Sequence, residues 1–309
     1  MSVTLGIDTS NYTTSVALYD DETDVMKSCG KLLPVENRER GLQQSKALFL
    51  HTRQLPEVLE DAFSLFNKRP DCVCVSEKPR SVDGSYMPVF SAGVSAATSA
   101  AYSLGVPLYK TSHQNGHVMA ALYSIGKIKL ANEPFIAFHI SGGTTEALYV
   151  TPSKDDLIKC EIVAKTLDLN AGQVIDRVGV KLGMDFPCGN ELDKLAQKGK
   201  LTQKPHPTLK ENDCCLSGLE NICEKLAKTE PPENVARFLF EYISETVSKM
   251  SNLLREKYGN LPFVYAGGVM RNSIVRENIN GYFAEPKYSS DNAAGVAVIG
   301  SILNKRNGI

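Results

Sequence analysis

The sequence predicts an α/β protein built from two similar lobes, and three patterns carry that prediction. The chain opens on a β-hairpin pattern, in which apolar strands at residues 3–7 and 14–19 flank a polar turn. A second strand, polar turn, strand pattern follows at residues 135–151. Helical periodicity or small-residue packing then predicts helices at residues 43–67, 91–104, 172–182, 234–257 and 292–304. Two hairpins with similar turns indicate two lobes that face each other.

The repeated hairpins set the expected domain boundaries. We predict an N-terminal lobe at residues 1–112, onto which a C-terminal helix at about residues 292–309 packs back. A C-terminal lobe at residues 113–291 would carry the metal and nucleotide sites. With 309 residues and 42% apolar content, the chain is long enough for each lobe to bury a core of its own.

Charge and cysteine usage limit the classes of partner and compartment. The 34 basic and 35 acidic residues leave a net charge of −1, so no summed positive field attracts a long nucleic acid. An RNA substrate would need a local basic patch or a basic partner subunit.

No pair among the eight cysteines has the two-residue gap of zinc ribbons, so we expect reduced thiols. The sequence shows neither a signal peptide nor an apolar run of about 18 residues, which predicts a soluble, cytoplasmic protein without membrane contact.

Two histidines at helical spacing predict a metal site. His113 and His117 lie four residues apart, so a helix would place both imidazoles on one side. Two hydrogen-bonded histidines on a half-buried helix are the alternative. His139 ends a predicted strand beside the second turn, and Asp291 precedes the last helix, where it reads equally well as a helix cap. Imidazole and carboxylate ligands suit one Zn or Fe(II) ion, whereas Gln114, where zinc proteases carry a catalytic Glu, argues against proteolysis.

Two glycine pairs that follow apolar strands predict a nucleotide site. Paired glycines let the backbone approach a phosphate or an adenosine closely. Several acids near predicted strand-to-helix turns, among them Asp168, fit Mg²⁺, ribose and phosphate handling. Each glycine pair alone is also compatible with an ordinary turn, and each acid with a helix cap. The candidate nucleotide residues from these patterns are Asp8, Ser141, Gly142, Gly143, Thr144, Asp176, Gly267 and Gly268.

Eight stretches extend these patterns over nearly the whole chain. They are Leu-Gly-Ile-Asp-Thr-Ser (5–10), Ser-His-Gln-Asn-Gly-His (112–117), Ile-Ser-Gly-Gly-Thr-Thr-Glu (140–146), Thr-Leu-Asp-Leu-Asn-Ala-Gly-Gln-Val-Ile-Asp (166–176), Phe-Pro-Cys-Gly (186–189), Leu-Ser-Gly-Leu (216–219), Ala-Gly-Gly-Val-Met-Arg-Asn (266–272) and Ser-Asp-Asn-Ala-Ala (290–294). In order and spacing they resemble the TsaD/Gcp family of tRNA threonylcarbamoyladenosine transferases, once called O-sialoglycoprotein endopeptidases. The resemblance implies the actin/Hsp70/sugar-kinase fold, which is ribonuclease H-like, with a nucleotide cleft between the lobes.

The resemblance also implies site residues and an activity. In the family the paired histidines and the late Asp bind one Fe or Zn ion, which implies His113, His117 and Asp291, and His139 falls where some members have a metal-bound Tyr. Family members move a threonylcarbamoyl group from its adenylate to the N6 amine of the tRNA adenosine next to the anticodon. We therefore expect ATP or threonylcarbamoyl-adenylate as ligand, with Mg²⁺, and tRNA as acceptor, together with helper subunits. The implied adenylate-binding residues are Ser141, Gly142, Gly143, Asp176, Gly189 and Asn272.

Two departures from the family pattern leave the acceptor open. Asn115 stands where the family has Glu in His-x-Glu-Gly-His, and residues 77–88 replace a Gly-Pro-Gly loop. A diverged carbamoyltransferase-like protein with another acceptor, or a non-catalytic nucleotide-binding relative, are therefore alternatives. The cations and Tyr86 of this loop predict that residues 78–87 govern acceptor choice, with a solvated surface loop as the alternative.

Overall fold

The computed structural model describes residues 2–10, 12–34, 43–285 and 292–308. The chain divides into two units, of which unit 1 comprises residues 1–133, 151–160 and 287–309. Unit 2 comprises residues 134–150 and 161–286, so in sequence it is inserted into unit 1. The division expected after residue 112 thus differs from the one in the structure, which follows Glu133.

Unit 1 contains a five-stranded sheet in the order β3-β2-β1-β4-β5. Its strands are β1 (Val3–Ser10), β2 (Thr13–Asp20), β3 (Val25–Leu32), β4 (Cys72–Lys78) and β5 (Leu108–Ser112). The first three strands are antiparallel neighbours, which confirms the predicted opening hairpin, and β4 runs parallel to both β1 and β5. The hairpin is longer than expected, because β1 continues through Asp8 to Ser10. Asp8 therefore lies in a strand rather than in the turn.

Helices cover this sheet. They are α1 (Gln44–Leu65), α2 (Phe90–Leu104) and α3 (His113–Ser124). Leu55 of α1 and Ala97 of α2 pack into one core with Ile7 and Val75 of the sheet. As predicted, α2 ends at Gly105, whose φ of +65° is the left-handed conformation that favours glycine at a helix end.

A helix from the far end of the chain completes unit 1. The last helix of the described residues is Asn292–Arg306, and we number it α9 because five helices of unit 2 precede it. Its backbone lies so close to β1 that a Cβ on Gly6 would meet the oxygen of Ala293 at 2.5 Å. A Cβ on Gly295 would likewise meet the oxygen of Gly116 in α3 at 1.9 Å. Because α3 packs against α9, α3 belongs to unit 1. The boundary between the units therefore lies beyond residue 112.

Unit 2 contains a second five-stranded sheet, in the order β12-β11-β6-β7-β8. Its strands, with a separate two-residue pair, are β6 (Phe135–Ile140), β7 (Thr145–Pro152), β8 (Ile158–Lys165), β9 (Leu209–Lys210), β10 (Asp213–Cys214), β11 (Phe263–Ala266) and β12 (Tyr282–Phe283). The strands β6 and β7 are antiparallel, which confirms the predicted second hairpin, and β11 is parallel to β6. Paired hairpins followed by parallel strands thus occur in both units.

The helices of unit 2 are α4 (Ala171–Lys181), α5 (Gly189–Ala196), α6 (Ser217–Leu226), α7 (Pro232–Tyr258) and α8 (Ser273–Glu277). The long α7 contributes Phe240 and Ile243 to a core that contains Phe138 and Tyr265 of the sheet. The rings of Phe138 and Tyr265 are stacked with centroids 5.1 Å apart. A short 3₁₀ helix, Gly268–Arg271, links β11 to α8.

Two further properties of the described residues concern membrane-spanning helices and the state of the cysteines. None of its helices is both long enough and apolar enough to span a membrane. All eight cysteines are free thiols, of which Cys215 is exposed and Cys29 is half-buried, while the others are buried.

Candidate metal and nucleotide sites

A histidine pair at the start of α3 forms the candidate metal site in unit 1. Ser112 caps the helix, since its hydroxyl accepts a hydrogen bond from the backbone N–H of Asn115 at 3.2 Å. The helix then presents His113 and His117 on one side, as their spacing predicted, with ring centroids 4.5 Å apart. Both rings line a pocket of about 210 Å³ whose other lining residues are Asp8, Ser10, Tyr12, Thr13, Ser15 and Asn292.

A buried carboxylate orients the first of these imidazoles. Asp8 is 1% exposed, and its two carboxylate oxygens lie 3.0 and 3.2 Å from Nδ1 of His113. Burial would raise the pKa of Asp8, but the charge and hydrogen bond of His113, with a hydrogen bond from Ser76, lower it well below its ordinary value. An ionised carboxylate only accepts, so Nδ1 of His113 carries the donated hydrogen, and Nε2 is the ring nitrogen left to face a ligand. Asp8 therefore belongs to the histidine site, although the sequence grouped it with the nucleotide residues.

A buried amide at the start of α9 also contacts this site. The side-chain Nδ2 of Asn292 donates to the backbone oxygen of His113 at 3.0 Å and contacts Nδ1 of the same residue. Among the described residues, the buried Oδ1 of Asn292 has no hydrogen-bond partner. Two neighbouring imidazoles beside an ionised carboxylate suit a bound cation.

The remaining predicted metal ligands are Asp291 and His139. Asp291 lies outside the described residues. His139 lies in β6 of unit 2, where it pairs with Glu146 of β7 and Ala266 of β11. Within the part of the chain that the structure describes, no three His, Cys, Asp or Glu residues are grouped as a complete metal site. Ligation by Asp291 and His139 stays a prediction.

A pocket in unit 2 brings together five of the predicted nucleotide residues. Its volume is about 250 Å³. The predicted residues on its wall are Gly142, Asp176, Gly189, Gly268 and Asn272. Sequence reasoning missed Gly172, Asn190, Asp193 and Arg271, which line the same pocket. Two signals were present in the sequence, because Asp193 lies one helical turn after Gly189 and Arg271 directly precedes Asn272.

The turn at residues 141–144 is docked onto the start of α4. The backbone N–H of Ser141 closes the turn on the oxygen of Thr144 at 2.7 Å, and the backbone oxygen of Ser141 accepts from the N–H of Gly172 at 3.2 Å. A Cβ on Gly172 would lie 2.6 Å from the Cα of Gly142. Of the turn residues described, Gly142 reaches the pocket wall, while Gly143 belongs to the same turn without lining the pocket.

Gly267 allows the ends of two neighbouring strands to lie close together. Its φ is +100°, and a Cβ there would meet the oxygen of Ile140 at 2.3 Å. Glycine is therefore required for the ends of β11 and β6 to approach each other. Gly268, the next residue, lines the pocket.

Side chains at the other end of the pocket hold its wall in place. Oδ1 of Asp176 accepts the backbone N–H of Cys188 at 2.9 Å and so fixes the loop before α5. Oδ1 of Asn272 accepts the N–H of Val275 at 3.0 Å as the cap of α8, and its Nδ2 donates to Asp193 at 2.7 Å. Both predicted ligands are thus already oriented by the protein.

Asp168, a candidate for Mg²⁺ or phosphate handling, instead caps a helix. Its carboxylate accepts from the backbone N–H groups of Leu216 and Ser217 at 2.7 and 3.2 Å, and from the Ser217 hydroxyl at 2.6 Å. Burial opposes ionisation, but these hydrogen bonds lower the pKa of Asp168 to about 2. The hydrogen bonds at the N-terminus of α6 therefore explain both the position and the low pKa of Asp168.

Comparison with known proteins supplies a family. The model for the family "TsaD: tRNA N6-adenosine threonylcarbamoyltransferase" matches residues 35–298. The enzyme of that name from Thermosipho africanus is 29% identical, over 98% of this chain and 95% of its own. The enzyme of the same name from Buchnera aphidicola is 30% identical, over 99% of this chain and 94% of its own.

Solved structures establish the fold. HypF of T. kodakarensis matches 99% of this chain and 48% of its own with a TM-score of 0.62 and 13% identity. A ROK family protein from Streptococcus pneumoniae matches 99% of this chain and 100% of its own with a TM-score of 0.58 and 11% identity. At such identities the likeness concerns the fold alone, and it confirms the predicted actin/Hsp70/sugar-kinase class.

Proposed function

The chain belongs to the TsaD family, and we propose that it transfers a threonylcarbamoyl group from threonylcarbamoyl-adenylate to the N6 amine of the tRNA adenosine next to the anticodon. In this step the bond between the carbamoyl carbon and the phosphate oxygen breaks and a bond from that carbon to N6 forms. AMP leaves, and N6 gives up one proton. The family match over residues 35–298 is the observation that carries the proposal. It favours the transferase over a non-catalytic relative.

The adenylate would bind in the pocket of unit 2. The turn at residues 141–144 supplies Gly142, where no side chain keeps a phosphate from the backbone, and the positive end of the α4 dipole lies behind it. Asp176 lines the same wall and offers carboxylate oxygens to ribose hydroxyls. The base would then lie toward Gly268 and Asn272, with Mg²⁺ accompanying a triphosphate.

The metal would be held by His113 and His117 of unit 1, with Asp291 and His139 as the further proposed ligands. When bound, one Fe(II) or Zn ion would polarise the carbonyl oxygen of the activated group. Asp8 keeps the Nδ1 hydrogen of His113 in place, so that Nε2 is the available nitrogen. Asn292 fixes the backbone at the same histidine.

Helper subunits and the tRNA itself are proposed from the family and from charge. A net charge of −1 provides little attraction for a polyanion. Basic surface from a partner subunit would supply it, together with a partner enzyme that makes the activated adenylate.

The test is a transfer assay with anaerobically purified, metal-loaded protein. Threonylcarbamoyl-adenylate, tRNA transcript and candidate helper subunits are supplied, and digested nucleosides are analysed by mass spectrometry for threonylcarbamoyl adenosine. His117→Ala and Asp176→Ala should each abolish product, whereas the exposed Lys228→Ala should not. Absence of product from the loaded wild-type protein with all components present would overturn the proposal.

A further inference from the structure

The loop between β4 and α2, residues 79–89, has a defined shape. Its first half is a turn in which the N–H of Ser85 donates to the oxygen of Val82 at 3.2 Å. The hydroxyl of Ser85 accepts from the N–H of Arg80 at 3.1 Å, and Gly84 adopts a φ of +74°. These bonds fix the loop while leaving Tyr86 69% exposed. An exposed aromatic ring on a fixed loop is a preformed surface for stacking.

The loop is attached to the helix that carries the histidine pair. The oxygen of Pro79 accepts from the N–H of Gln114 at 3.0 Å, and the hydroxyl of Ser81 accepts from Nδ2 of Asn115 at 3.3 Å. The same amide nitrogen donates to the oxygen of Ile158 at 3.0 Å. A Glu at position 115 would place a carboxylate against the Ile158 oxygen, which only accepts. The two departures from the family pattern are thus joined by a hydrogen bond.

A pocket of about 470 Å³ lies beneath this loop, and its lining residues are Glu77, Lys78, Ser85, Tyr86, Ser91, Val94 and Ser95. Glu77 lies 3.1 Å from the ammonium of Lys110 but 3.8 Å from that of Lys78. Two lysines thus face one carboxylate, which leaves a surplus of one positive charge beside the pocket. An aromatic face, three hydroxyls and a cation match the base, the polar base edges and the phosphate of one nucleotide.

We propose that this pocket binds an unpaired nucleotide of the RNA acceptor, with its base stacked on Tyr86 and its phosphate at Lys78. The inference rests on the proposed function for the identity of the acceptor. An RNA strand fits better than a peptide, because stacking and phosphate contact use both the exposed ring and the cation. The bond from Asn115 to Ser81 keeps this subsite in a fixed relation to the histidine pair within unit 1.

The chain contains no tryptophan, so Tyr86→Trp introduces a single fluorescent reporter at the subsite. Titration with an anticodon stem-loop RNA should quench this reporter saturably, because a stacked base quenches indole emission. Tyr102→Trp is the matched control, since Tyr102 lies on α2, is 82% exposed and does not line the pocket. Equal quenching of the two reporters, or saturation of the Tyr86→Trp reporter by AMP at the same concentration, would overturn the proposal.

Binding measurements test the same subsite without a reporter. Tyr86→Ala should weaken stem-loop binding about tenfold, as loss of one stacked base does, whereas Tyr86→Phe should stay within about twofold. AMP affinity should be unchanged in both variants. Lys78→Gln should weaken binding and lower its salt dependence. Wild-type RNA affinity in Tyr86→Ala would overturn the subsite.

Failure of the subsite and failure of the proposed function give different results. Quenching by the stem-loop without threonylcarbamoyl product from loaded wild-type protein would support the subsite and overturn the transferase. Product formation with an unquenched Tyr86→Trp reporter would overturn the subsite and leave the transferase in place.

Discussion

At the scale of single residues, Arg271 brings a guanidinium to the wall of the candidate nucleotide pocket in unit 2. A second cation nearby, Arg276, is engaged elsewhere, because it donates to the oxygen of Met270 at 2.5 Å and lies 4.9 Å over the ring of Phe283. Burial lowers the pKa of Arg276, and the charge of Arg271 lowers it further. The guanidinium at the pocket wall is therefore that of Arg271, and its positive charge favours an anionic ligand.

We expect Arg271→Ala to weaken AMP binding about tenfold, since one charge-assisted contact is lost. Lys228→Ala is the control, because it removes the same charge from an exposed position of unit 2. Calorimetry with AMP measures both variants. Identical AMP affinity in wild type and Arg271→Ala would show that the guanidinium does not contact the nucleotide.

The contact between Asp8 and His113 leads to a prediction about metal affinity. Asp8→Ala removes the acceptor of the Nδ1 hydrogen, so the imidazole loses its fixed orientation. Loss of a hydrogen bond that orients a metal-binding histidine lowers metal affinity about 10- to 100-fold. Competition titration with Co²⁺ and a chromophoric chelator measures the loss, with the exposed Asp61→Ala on α1 as control. Unchanged Co²⁺ affinity in Asp8→Ala would assign the carboxylate another role.

Spacing along the chain predicted the residues whose partners are close in sequence. His113 and His117 share one helix face, and Gly142 follows its own strand, so local pattern was sufficient for both. Asp8 could not be placed in this way, because its partner His113 is 105 residues away. A polar residue next to a turn gives no sign of which distant group it will meet.

At the scale of secondary-structure elements, the contact between the turn at 141–144 and α4 leaves no room for a side chain at Gly172. Gly172→Ala should displace the turn, weaken AMP binding at least tenfold and lower the free energy of unfolding by about 1–3 kcal/mol. Gly218→Ala is a matched control, because Gly218 is also the second residue of a helix, but a Cβ added there would have no neighbour within 4 Å. AMP calorimetry and urea unfolding distinguish the two. Equal behaviour of both variants would contradict the close approach.

The cap that Asp168 forms on α6 predicts a pH-dependent contribution to stability. The folded-state pKa of about 2 is below the unfolded value of about 3.9. The stabilisation is therefore present above pH 4 and is lost as the pH falls from about 4 to 2. Because this side chain is exposed, we expect Asp168→Ala to cost only about 1 kcal/mol at pH 7.

Urea unfolding at pH 7 and at pH 2.5 measures this difference. The cost of Asp168→Ala should shrink at the lower pH, where protonation has already weakened the wild-type cap. Asp185→Ala, at an exposed position of the same unit, is the control. A cost that is the same at both pH values would mean that the ionised carboxylate does not stabilise α6.

The elements that the sequence predicted have the predicted type in the structure, whereas the packing partner of one helix was not predicted. The glycine at position 105 ended α2 as predicted, and the strand, polar turn, strand pattern identified both hairpins. The boundary after residue 112 differed because α3 packs against α9 through Gly116 and Gly295. Gly116 and Gly295 are far apart in sequence. Small residues in a helix indicate that it packs closely, but they do not indicate which element it packs against.

At the scale of the whole molecule, the buried cysteines can be used to follow the unfolding of each unit separately. Burial raises the pKa of Cys72 in unit 1 to about 11, and that of Cys214 and Cys223 in unit 2 to about 12. Thiols at such positions are both inaccessible and protonated at neutral pH. Cys215 is exposed.

We therefore expect iodoacetamide at pH 8 to modify Cys215 first in the native protein. Cys72 should react only when unit 1 opens, and Cys214 and Cys223 only when unit 2 opens. Labelling at increasing urea, followed by peptide mass spectrometry, gives an unfolding curve for each unit. Labelling of Cys72 in the native protein as fast as Cys215 would contradict the buried position of β4.

The packing of α9 on β1 and α3 has a consequence for synthesis on the ribosome. All of unit 2 is translated before Asn292 is made. The nascent chain can therefore complete the nucleotide pocket while β1 still lacks the helix that covers it and His113 still lacks its amide neighbour. A chain cut short before Asn292 would therefore lack the amide contact to His113 and the helix that packs on β1, whereas every residue that lines the candidate nucleotide pocket would be present.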